Sequence, residues 1–191
     1  MKVLQILPQL NIGGVERGTL DLSKALILKG HQSFVISGGG VLVDELTQCG
    51  AKHYEIPVHI KSLRTLSLAK RLSETISSID PDIVHVRSRM PAWVNYRAFK
   101  MLQKKPLLVS TFHGLYSFPI YSKVMSFVDH SIAISKTVER YILENYKLDK
   151  GDITVIPRGC DPLEFNNEVI NPVDKANIIE EFPQIVGKKV L

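Results

Sequence analysis

A chain of 191 residues is long enough for one well-packed core and short for two full domains. Its content of 45% hydrophobic and 23% charged residues is that of an ordinary globular protein, and no apolar run approaches the roughly 20 residues of a membrane-spanning helix. Two cysteines, Cys49 and Cys160, make neither a disulfide framework nor a metal-binding spacing, which fits a reducing cytoplasm. Residues 1–10 have no small-residue cleavage site, so we interpret them as a first strand rather than a signal peptide.

The net charge of +5 leaves three explanations, namely nucleic acid, an anionic membrane surface, or solubility alone. No recognised nucleic-acid module or aromatic-interleaved basic ribbon is present, so we expect no nucleic-acid partner. If residues 92–104 form a helix, Arg97, Lys100 and Lys104 share one face beside aromatic neighbours. Such a face is a candidate surface for acidic lipid headgroups. The alternative is a solvated helix face whose apolar side lies in the core.

Short apolar runs alternate with amphipathic segments along the whole chain. Strands are predicted at residues 3–7, 32–37, 52–58, 83–86, 107–111, 131–134 and 153–156. Helices are predicted at residues 15–29, 41–49, 66–79, 91–103, 120–128, 135–146 and 173–181, the first of them stopped by Gly30. This alternation predicts an α/β fold with a Rossmann-like, doubly wound and mostly parallel sheet.

Two adjacent glycines, Gly13 and Gly14, separate the first predicted strand from the first helix. Without a Cβ, their backbone N–H groups can approach a ligand closely, and the first turn of a helix favours a phosphate or another anion. The alternative is a plain turn that needs a positive φ. The position at the carboxyl end of the first strand favours a ligand site, since open α/β sheets bind ligands there. Neither G-x-G-x-x-G nor a P-loop is present.

The pattern loosens after Arg158 into a segment rich in glycine, proline and asparagine. We expect residues 1–165 to form one Rossmann-like domain, and residues 166–191 to form a linker that leads into a further domain. The last four residues, KKVL, resemble the opening of another strand, as in a chain cut at a domain boundary. An ordinary frayed terminus is the alternative.

Five short segments, each at the carboxyl end of a predicted strand or entering one, carry a resemblance to a known family. They are GGVER (13–17), PDIVH (81–85), STFHG (110–114), AIS (133–135) and VIPRGCD (155–161). In this order they resemble the N-terminal half of the GT-B fold glycosyltransferases of family 4, the retaining family. The resemblance covers about residues 1–165 and is greatest to bacterial enzymes that build lipopolysaccharide core or other surface glycans.

The resemblance implies a retaining hexosyltransferase that moves a sugar from a nucleotide-diphosphate sugar to a glycan or lipid-linked acceptor. It implies no metal and no further cofactor. The cysteine usage and the basic charge, rather than the resemblance, predict a cytoplasmic location, peripheral on the inner face of the cytoplasmic membrane. In such enzymes two domains close over the donor, and the N-terminal domain mainly presents the acceptor. The second domain, with most nucleotide contacts, is missing here, so we expect this chain to be inactive without that domain in cis or in trans.

The family's roles transfer to matching positions. Gly13 and Gly14 would place backbone amides beside the donor's phosphates or sugar, and His113 matches the family histidine at the donor sugar, the catalytic candidate. A polar ring there can hydrogen-bond sugar hydroxyls and support oxocarbenium character; a surface-loop histidine is the alternative. Ser135 is a donor-binding candidate or simply the N-cap of a helix.

Four further residues are candidates for orienting phosphate or acceptor groups: Glu16, Arg17, His85 and Arg87. A glutamate in a helix's first turn is also favourable with the helix dipole alone. His85 lies within an apolar strand, where a core histidine with satisfied hydrogen bonds is the alternative. Arg87 stands where relatives often carry a second histidine.

Two other classes of protein remain open at this point. One is a stand-alone, non-catalytic module that binds a glycan or lipid, and the other is a nucleotide-binding regulatory Rossmann domain. The absent G-x-G-x-x-G argues against the second. No Ser–His–Asp or Cys–His arrangement can be identified from the spacing, so a hydrolase has little support.

Overall fold

The computed structural model describes residues 1–60, 67–117, 119–159 and 172–188. Its strands are β1 (Lys2–Ile6), β2 (Gln32–Ser37), β3 (Lys52–Glu55), β4 (Ile83–Val86), β5 (Leu107–Phe112), β6 (His130–Ala133) and β7 (Ile153–Val155). Its helices are α1 (Gly14–Leu28), α2 (Val43–Gln48), α3 (Ala69–Ile79), α4 (Arg89–Phe99), α5 (Pro119–Ser122), α6 (Lys136–Asn145) and α7 (Pro172–Glu181). Short 3₁₀ turns cover Lys123–Ser126, Lys150–Asp152 and Pro183–Ile185.

The described strands form one seven-stranded sheet in the order β3-β2-β1-β4-β5-β6-β7. All six neighbouring pairs run parallel. The chain moves outward in one direction from β1 to β3, returns to β4 beside β1, and then moves outward in the other direction. This confirms the predicted doubly wound fold, and it places the topological switch point between β1 and β4, where such sheets bind ligands.

The two faces of the sheet differ in chemistry near its centre. Alternate residues of each strand point to opposite faces, so Leu4 and Ile6 of β1 join a large apolar core that includes α3 and α4. Gln5 and its neighbour in register, His85, belong to the other row of side chains. Val35, also in register with Gln5, joins the smaller core with Leu20 of α1. The face that carries α1 therefore combines an apolar cluster with buried polar side chains.

Helix α1 ends at a glycine, as the sequence pattern predicts. Gly30 has φ 75, a left-handed conformation, and its N–H donates to the carbonyl of Ile27 at 2.9 Å. This confirms the predicted glycine stop, because a left-handed residue after the last turn satisfies carbonyls that would otherwise lack partners.

The end of α4 differs from the prediction. The helix covers Arg89–Phe99, whereas the sequence pattern extends it to residue 103. After Phe99 the hydrogen bonds shorten to the i−3 type, and Leu102 turns into the core, where it is buried. Lys104 therefore lies beyond the helix, and the prediction that it shares a helical face with Arg97 and Lys100 is wrong.

The chain divides into two compact units, Met1–Arg158 and Gly159–Leu191. In the second, α7 and the turn Pro183–Ile185 contain no buried residue. The predicted linker start at residue 166, the segment 160–161 and the strand opening at residues 189–191 lie outside the described residues. Within the part of the chain that the structure describes, no helix is both long and apolar enough to cross a bilayer.

Candidate functional site

The two glycines between β1 and α1 lie against charged side-chain ends and need no left-handed backbone. Gly13 has φ 176 and ψ 164, an extended conformation open to any residue, and Gly14 has no positive φ. A Cβ on Gly13 would overlap the carboxylate of Glu16, and a Cβ on Gly14 would overlap Nη1 of Arg158. The alternative of a turn that needs a positive φ is therefore not supported, because side chains crowd these backbones instead.

The loop between β1 and α1 is fastened to the loop after β2. The N–H of Leu10 donates to the carbonyl of Gly39 at 2.7 Å, and the N–H of Leu42 donates to the carbonyl of Leu10 at 2.8 Å. Gly40 has φ 139, and a Cβ there would overlap the backbone of Leu10. These bonds fix the approach of the chain to the N-terminus of α1.

His113 follows β5 and contacts Arg158, which follows β7. Nη2 of Arg158 donates to Nδ1 of His113 at 3.1 Å. Because a guanidinium can only donate, Nδ1 carries no proton. Burial, and then the positive charges of Arg87 and Arg158, lower the pKa of His113 to about 3. The ring is therefore neutral near pH 7, with its proton on Nε2.

Nε2 of His113 is buried and has no hydrogen-bond partner among the described residues. An N–H group that is buried and unpaired costs free energy, and native structures contain few of them. The neutral ring thus presents one unused hydrogen-bond donor. That donor suits a hydroxyl, carbonyl or phosphate oxygen of a ligand.

Aromatic packing holds the loop that carries His113. The guanidinium of Arg89, at the start of α4, lies 4.9 Å from the ring centre of Tyr116 and 5.4 Å from that of Tyr121. Nε1 of Trp93 donates to the carbonyl of Tyr121 at 2.9 Å. These contacts connect the described part of the loop to α4.

Arg87 follows β4 and is only 8% exposed. Its Nη1 donates to Oε1 of Gln5 at 2.7 Å and to the carbonyl of Gly18 in α1 at 3.1 Å. Its Nε is buried without a partner among the described residues. Burial first, and then repulsion by Arg158, lower the pKa of Arg87 to about 10, although Glu16 and Asp21 act in the opposite direction. The guanidinium is therefore still charged near pH 7.

Gln5 positions Arg87 from inside the core. The side chain of Gln5 is fully buried, and its Nε2 donates to the carbonyl of Thr19 at 3.1 Å and to Oγ of Ser23 at 3.0 Å. Oγ of Ser33 donates in turn to Oγ of Ser23 at 2.9 Å. Since the amide nitrogen faces these acceptors, the amide oxygen must face Arg87. The network fixes one end of the guanidinium.

His85 lies beneath the site in the middle of the sheet. It is 5% exposed, and its Nε2 lies 2.7 Å from Oγ1 of Thr111. Burial, and then the charge of Arg87, lower its pKa to about 3. The alternative given above, a core histidine with a hydrogen-bond partner, describes its surroundings.

The remaining predicted residues fall into two groups. Glu16 turns over Gly13 at the N-terminus of α1. Arg17 extends toward α2, where its Nη1 lies 3.5 Å from the carboxylate of Glu45. Oγ of Ser135 accepts a hydrogen bond from the N–H of Val138 at 3.2 Å, which confirms its N-cap position. Glu16 thus lies at the site, whereas Arg17 and Ser135 have contacts of their own.

The membrane-surface candidates lie elsewhere on the domain. Arg97 and Lys100 are exposed, and Nζ of Lys100 lies 4.3 Å from the ring centre of Tyr96. Nζ of Lys104 pairs with a carboxylate oxygen of Asp80 at 2.8 Å. Two of the three therefore share the end of α4, and the third belongs to a separate ion pair.

Sequence reasoning missed two contributors, Arg158 and Gln5. Arg158 lies within a segment that carried the resemblance, but its contact with His113 joins residues 45 positions apart in the chain. Gln5 had a visible signal, since it is a polar residue in the apolar run of β1. A buried amide in a central strand needs partners, and that requirement alone marks the position.

The site lies at the carboxyl ends of β1, β4, β5 and β7, around the switch point of an open parallel sheet. That placement is typical of α/β domains that bind nucleotides or other phosphorylated ligands. The family model described as Glycosyltransferase Family 4 matches residues 12–163, a range that holds Gly13, Arg87, His113 and Arg158. The chain belongs to this family.

Solved structures agree with the family match. The chain resembles a glycosyltransferase from Rickettsia africae ESF-5 with 36% identity and a TM-score of 0.77, over 95% of this chain and 49% of that one. It also resembles Anabaena Alr3699/HepE, solved in complex with UDP and glucose, with 16% identity and a TM-score of 0.73 over 95% of this chain and 50% of that one. The second likeness shows the fold alone. The fold is that of one half of a GT-B glycosyltransferase.

A curated relative is one component of the human phosphatidylinositol N-acetylglucosaminyltransferase. It is 25% identical over 190 residues, which cover 88% of this chain and 38% of that protein. The chain therefore spans about half or less of the length of these relatives.

Proposed function

We propose that the chain is the acceptor-binding half of a retaining glycosyltransferase, which transfers a sugar from a nucleotide-diphosphate sugar to a glycan or lipid-linked acceptor. The observation that carries the proposal is the neutral His113, whose buried Nε2–H has no partner among the described residues, beside two arginines and the N-terminus of α1. Family membership supplies the reaction class. Retention of the anomeric configuration is part of the proposal and follows from the resemblance to the retaining family.

His113 would act on the donor sugar. Its Nε2–H can donate to a sugar hydroxyl, and as a neutral ring it adds no positive charge next to a developing oxocarbenium ion. Arg158 fixes this tautomer by occupying Nδ1. The ring's contribution is therefore orientation and hydrogen bonding rather than proton transfer from an imidazolium.

The leaving group would be stabilised by fixed positive charge. When the bond between sugar and diphosphate breaks, negative charge grows on the phosphate oxygens. Backbone N–H groups in the first turn of α1 and the guanidinium groups of Arg87 and Arg158 carry the complementary charge. These are anion-binding groups, so we propose that the reaction needs neither a metal ion nor a further cofactor.

We further propose that the native protein supplies a second, donor-binding domain, in the same chain or from a partner. Several relatives are about twice as long as this chain, which supports the idea. A structural neighbour described as the lipopolysaccharide outer core galactosyltransferase WaaB supports a place in surface-glycan synthesis. The acceptor would then be met in the cytoplasm, at the inner face of the membrane, with Arg97 and Lys100 as candidate contacts to anionic lipid.

The test is a transfer assay on the native gene product, whose intact mass is measured first. A mass near twice the 21.4 kDa of this chain supports a second domain in the same chain. The protein is then incubated with a panel of nucleotide-diphosphate sugars and a lipid and glycan extract, with and without EDTA. Transfer that persists in EDTA, with the donor's anomeric configuration kept in the product as determined by NMR, supports the proposal. Tight binding of a free nucleotide without any transfer would favour a regulatory domain instead.

A further inference from the structure

An arginine that contacts two tyrosine rings belongs to the loops after β4 and β5, not to the loop between β1 and α1. Arg89 is the first residue of α4 and is partly exposed. Its guanidinium lies over the rings of Tyr116 and Tyr121, both in the segment that follows β5. Because β4 and β5 are neighbours in the sheet, these three side chains share the part of the carboxyl-terminal edge that carries His113.

The described residues leave most of the hydrogen-bond donors of Arg89 unused. Its hydrogen bond to a described residue runs from Nη1 to Oγ of Ser122 and is long, at 3.5 Å. No carboxylate among the described residues forms an ion pair with it. The start of α4 does not stabilise it either, since the positive end of a helix dipole repels a cation. A guanidinium has five N–H donors, so most of those on Arg89 are available to a ligand.

The aromatic rings hold the guanidinium without using its N–H groups. A cation–π contact is made between the charge of the guanidinium and the face of a ring, which leaves the N–H donors free. The ring of Tyr116 packs on the buried Phe112, with 5.4 Å between centroids, and that of Tyr121 stacks on Trp93 at 6.5 Å. Arg89 is therefore positioned by rings that are themselves fixed by packing.

Tyr116 brings this cation close to the catalytic candidate. The pKa of Tyr116 is raised by burial, whereas the backbone of His113 and the charge of Arg89 act in the opposite direction. The phenol is thus within electrostatic reach of both residues. The surface between them is open, since a Cβ added to Gly114 would meet nothing within 4 Å and Leu115 is 60% exposed. A ligand therefore has room beside Arg89 and His113.

We propose that Arg89 binds an anionic group on the acceptor, a carboxylate or a phosphate ester, and so selects acceptors that carry one. The inference rests on the proposed function and adds the chemical class of the acceptor. Two parallel N–H···O bonds from one guanidinium match two oxygens of such a group. The anion is distinct from the donor's diphosphate, which we assigned to Arg87 and Arg158. With its anion held at Arg89, the acceptor can extend a hydroxyl toward the donor sugar at His113.

The experiment measures the binding of three matched sugars to the native protein by NMR titration. The probes are methyl glucuronide, which carries a carboxylate, methyl glucoside 6-phosphate, which carries a phosphate ester, and methyl glucoside, which is neutral. UDP is present in excess to occupy the donor's anion site. We expect at least one anionic probe to bind about tenfold or more tightly than the neutral one, and Arg89→Gln to abolish this preference. The anionic probe whose affinity falls in Arg89→Gln identifies the group as a carboxylate or a phosphate.

Two further variants separate binding from a purely structural role. Arg140→Gln, the same substitution at an exposed position on α6, is the control and should keep the preference. Arg89→Lys keeps the charge over the rings but loses the planar fork, so we expect it to lose most of the preference at an unchanged melting temperature. This variant decides the question if Arg89→Gln does not fold. A lower melting temperature in Arg89→Gln with the preference intact would assign Arg89 to the fold only and overturn the proposal.

Equal binding of the three probes to the unaltered protein also overturns the proposal. Transfer to the natural acceptor in the lipid and glycan extract is measured in parallel, and Arg89→Gln should raise the acceptor KM about tenfold with little change in kcat, because the contact is made before and during transfer alike. Normal transfer by an unaltered protein that shows no preference refutes this inference and not the function. A preference that depends on Arg89 in a protein that transfers no sugar refutes the function and not this inference.

Discussion

The two edges of the sheet differ in whether their positively charged side chains have a carboxylate partner. At the amino-terminal edge, α3 and the segment that follows α4 line a groove of about 530 Å³ that includes Asp80 and Lys104. Their side chains pair at 2.8 Å, and the pairing lowers the pKa of Asp80 and raises that of Lys104. At the carboxyl-terminal edge, Arg87 and Arg158 lie near each other without such a partner among the described residues.

This difference shows why the size of a cavity does not locate a binding site. The groove at the amino-terminal edge is roomy, but its charges already satisfy each other in solvent. The other edge has buried donors left over on Arg87 and His113. Unmatched polar groups that are held in place by a packed core are the better sign of a ligand, since the fold keeps them at a cost. The following predictions test that contrast, from the largest expected effect to the smallest.

Replacement of His113 by alanine should produce the largest change. It removes the only donor that we assign to the donor sugar, and loss of one such preorganised hydrogen bond costs about 100- to 1,000-fold in rate. The measurement is the transfer rate of the native protein at saturating substrates. His31→Ala, a histidine at the amino-terminal edge, is the matched control and should transfer normally. Transfer by the His113 variant at the rate of the control would remove His113 from the mechanism.

Gln5→Leu should destabilise the domain by about 3 kcal/mol, because it leaves a buried guanidinium with one of its two hydrogen-bond partners missing. The free energy of unfolding in urea gives this value. The same substitution at Gln32, an exposed residue that begins β2, should cost far less. Equal stability of the two variants would show that the network under Arg87 contributes little.

Stability should fall as the pH is lowered from 7 to 5. His85 and His113 have folded pKa values of about 3, below the value of about 6.5 for an unfolded histidine. As the pH falls below 6.5, both histidines become protonated in the unfolded chain but stay neutral in the folded protein. The free energy of unfolding therefore falls by about 2 kcal/mol per histidine at pH 5. Urea unfolding at a series of pH values measures the slope, and His85→Gln should remove about half of it. An unchanged free energy between pH 7 and 5 would contradict the buried, neutral state of both rings.

Gly14→Ala should leave the fold nearly unchanged and weaken pyrophosphate binding about tenfold, the loss of one charge-assisted hydrogen bond. The new Cβ overlaps Nη1 of Arg158, which is exposed and can move aside, so the cost appears at the site. Gly151→Ala is the control, since nothing lies within 4 Å of its added Cβ. Calorimetry and a melting curve are recorded for both; a lower melting temperature with unchanged affinity would assign Gly14 to the fold only.

Lys104→Gln should have no measurable effect on the melting temperature or on pyrophosphate affinity. The ion pair that it breaks is exposed, and such pairs are screened by solvent. Calorimetry on this variant beside Arg158→Gln compares the two edges directly. A loss of pyrophosphate affinity in Lys104→Gln would show that the anion binds at the amino-terminal edge, which would contradict our placement of the site at the carboxyl-terminal edge.

Much of the fold could be predicted from local pattern. The bounds of β2 and β4 match the predicted strands. Gly30 ends α1 and Ser135 caps the start of α6, as their residue types indicate. The end of α4 could not be predicted, because the amphipathic pattern continues past Phe99 while the chain must turn to enter β5. The packing of Leu102 into the core decides where α4 ends. The hydrophobic periodicity of the sequence cannot predict that packing.

The sequence by itself determined the succession of strands and helices along the chain, the glycine that ends α1 and the resemblance to family 4. Each of these depends on residues that are near one another in the chain. Only the tertiary structure decided which charges meet. The contact of Arg158 with His113 spans 45 positions, and that of Arg87 with Gln5 spans 82. Burial by distant elements then sets the protonation of His113, because desolvation and neighbouring charge shift a pKa through space and not along the chain. The chemistry of the site is therefore a property of the folded sheet.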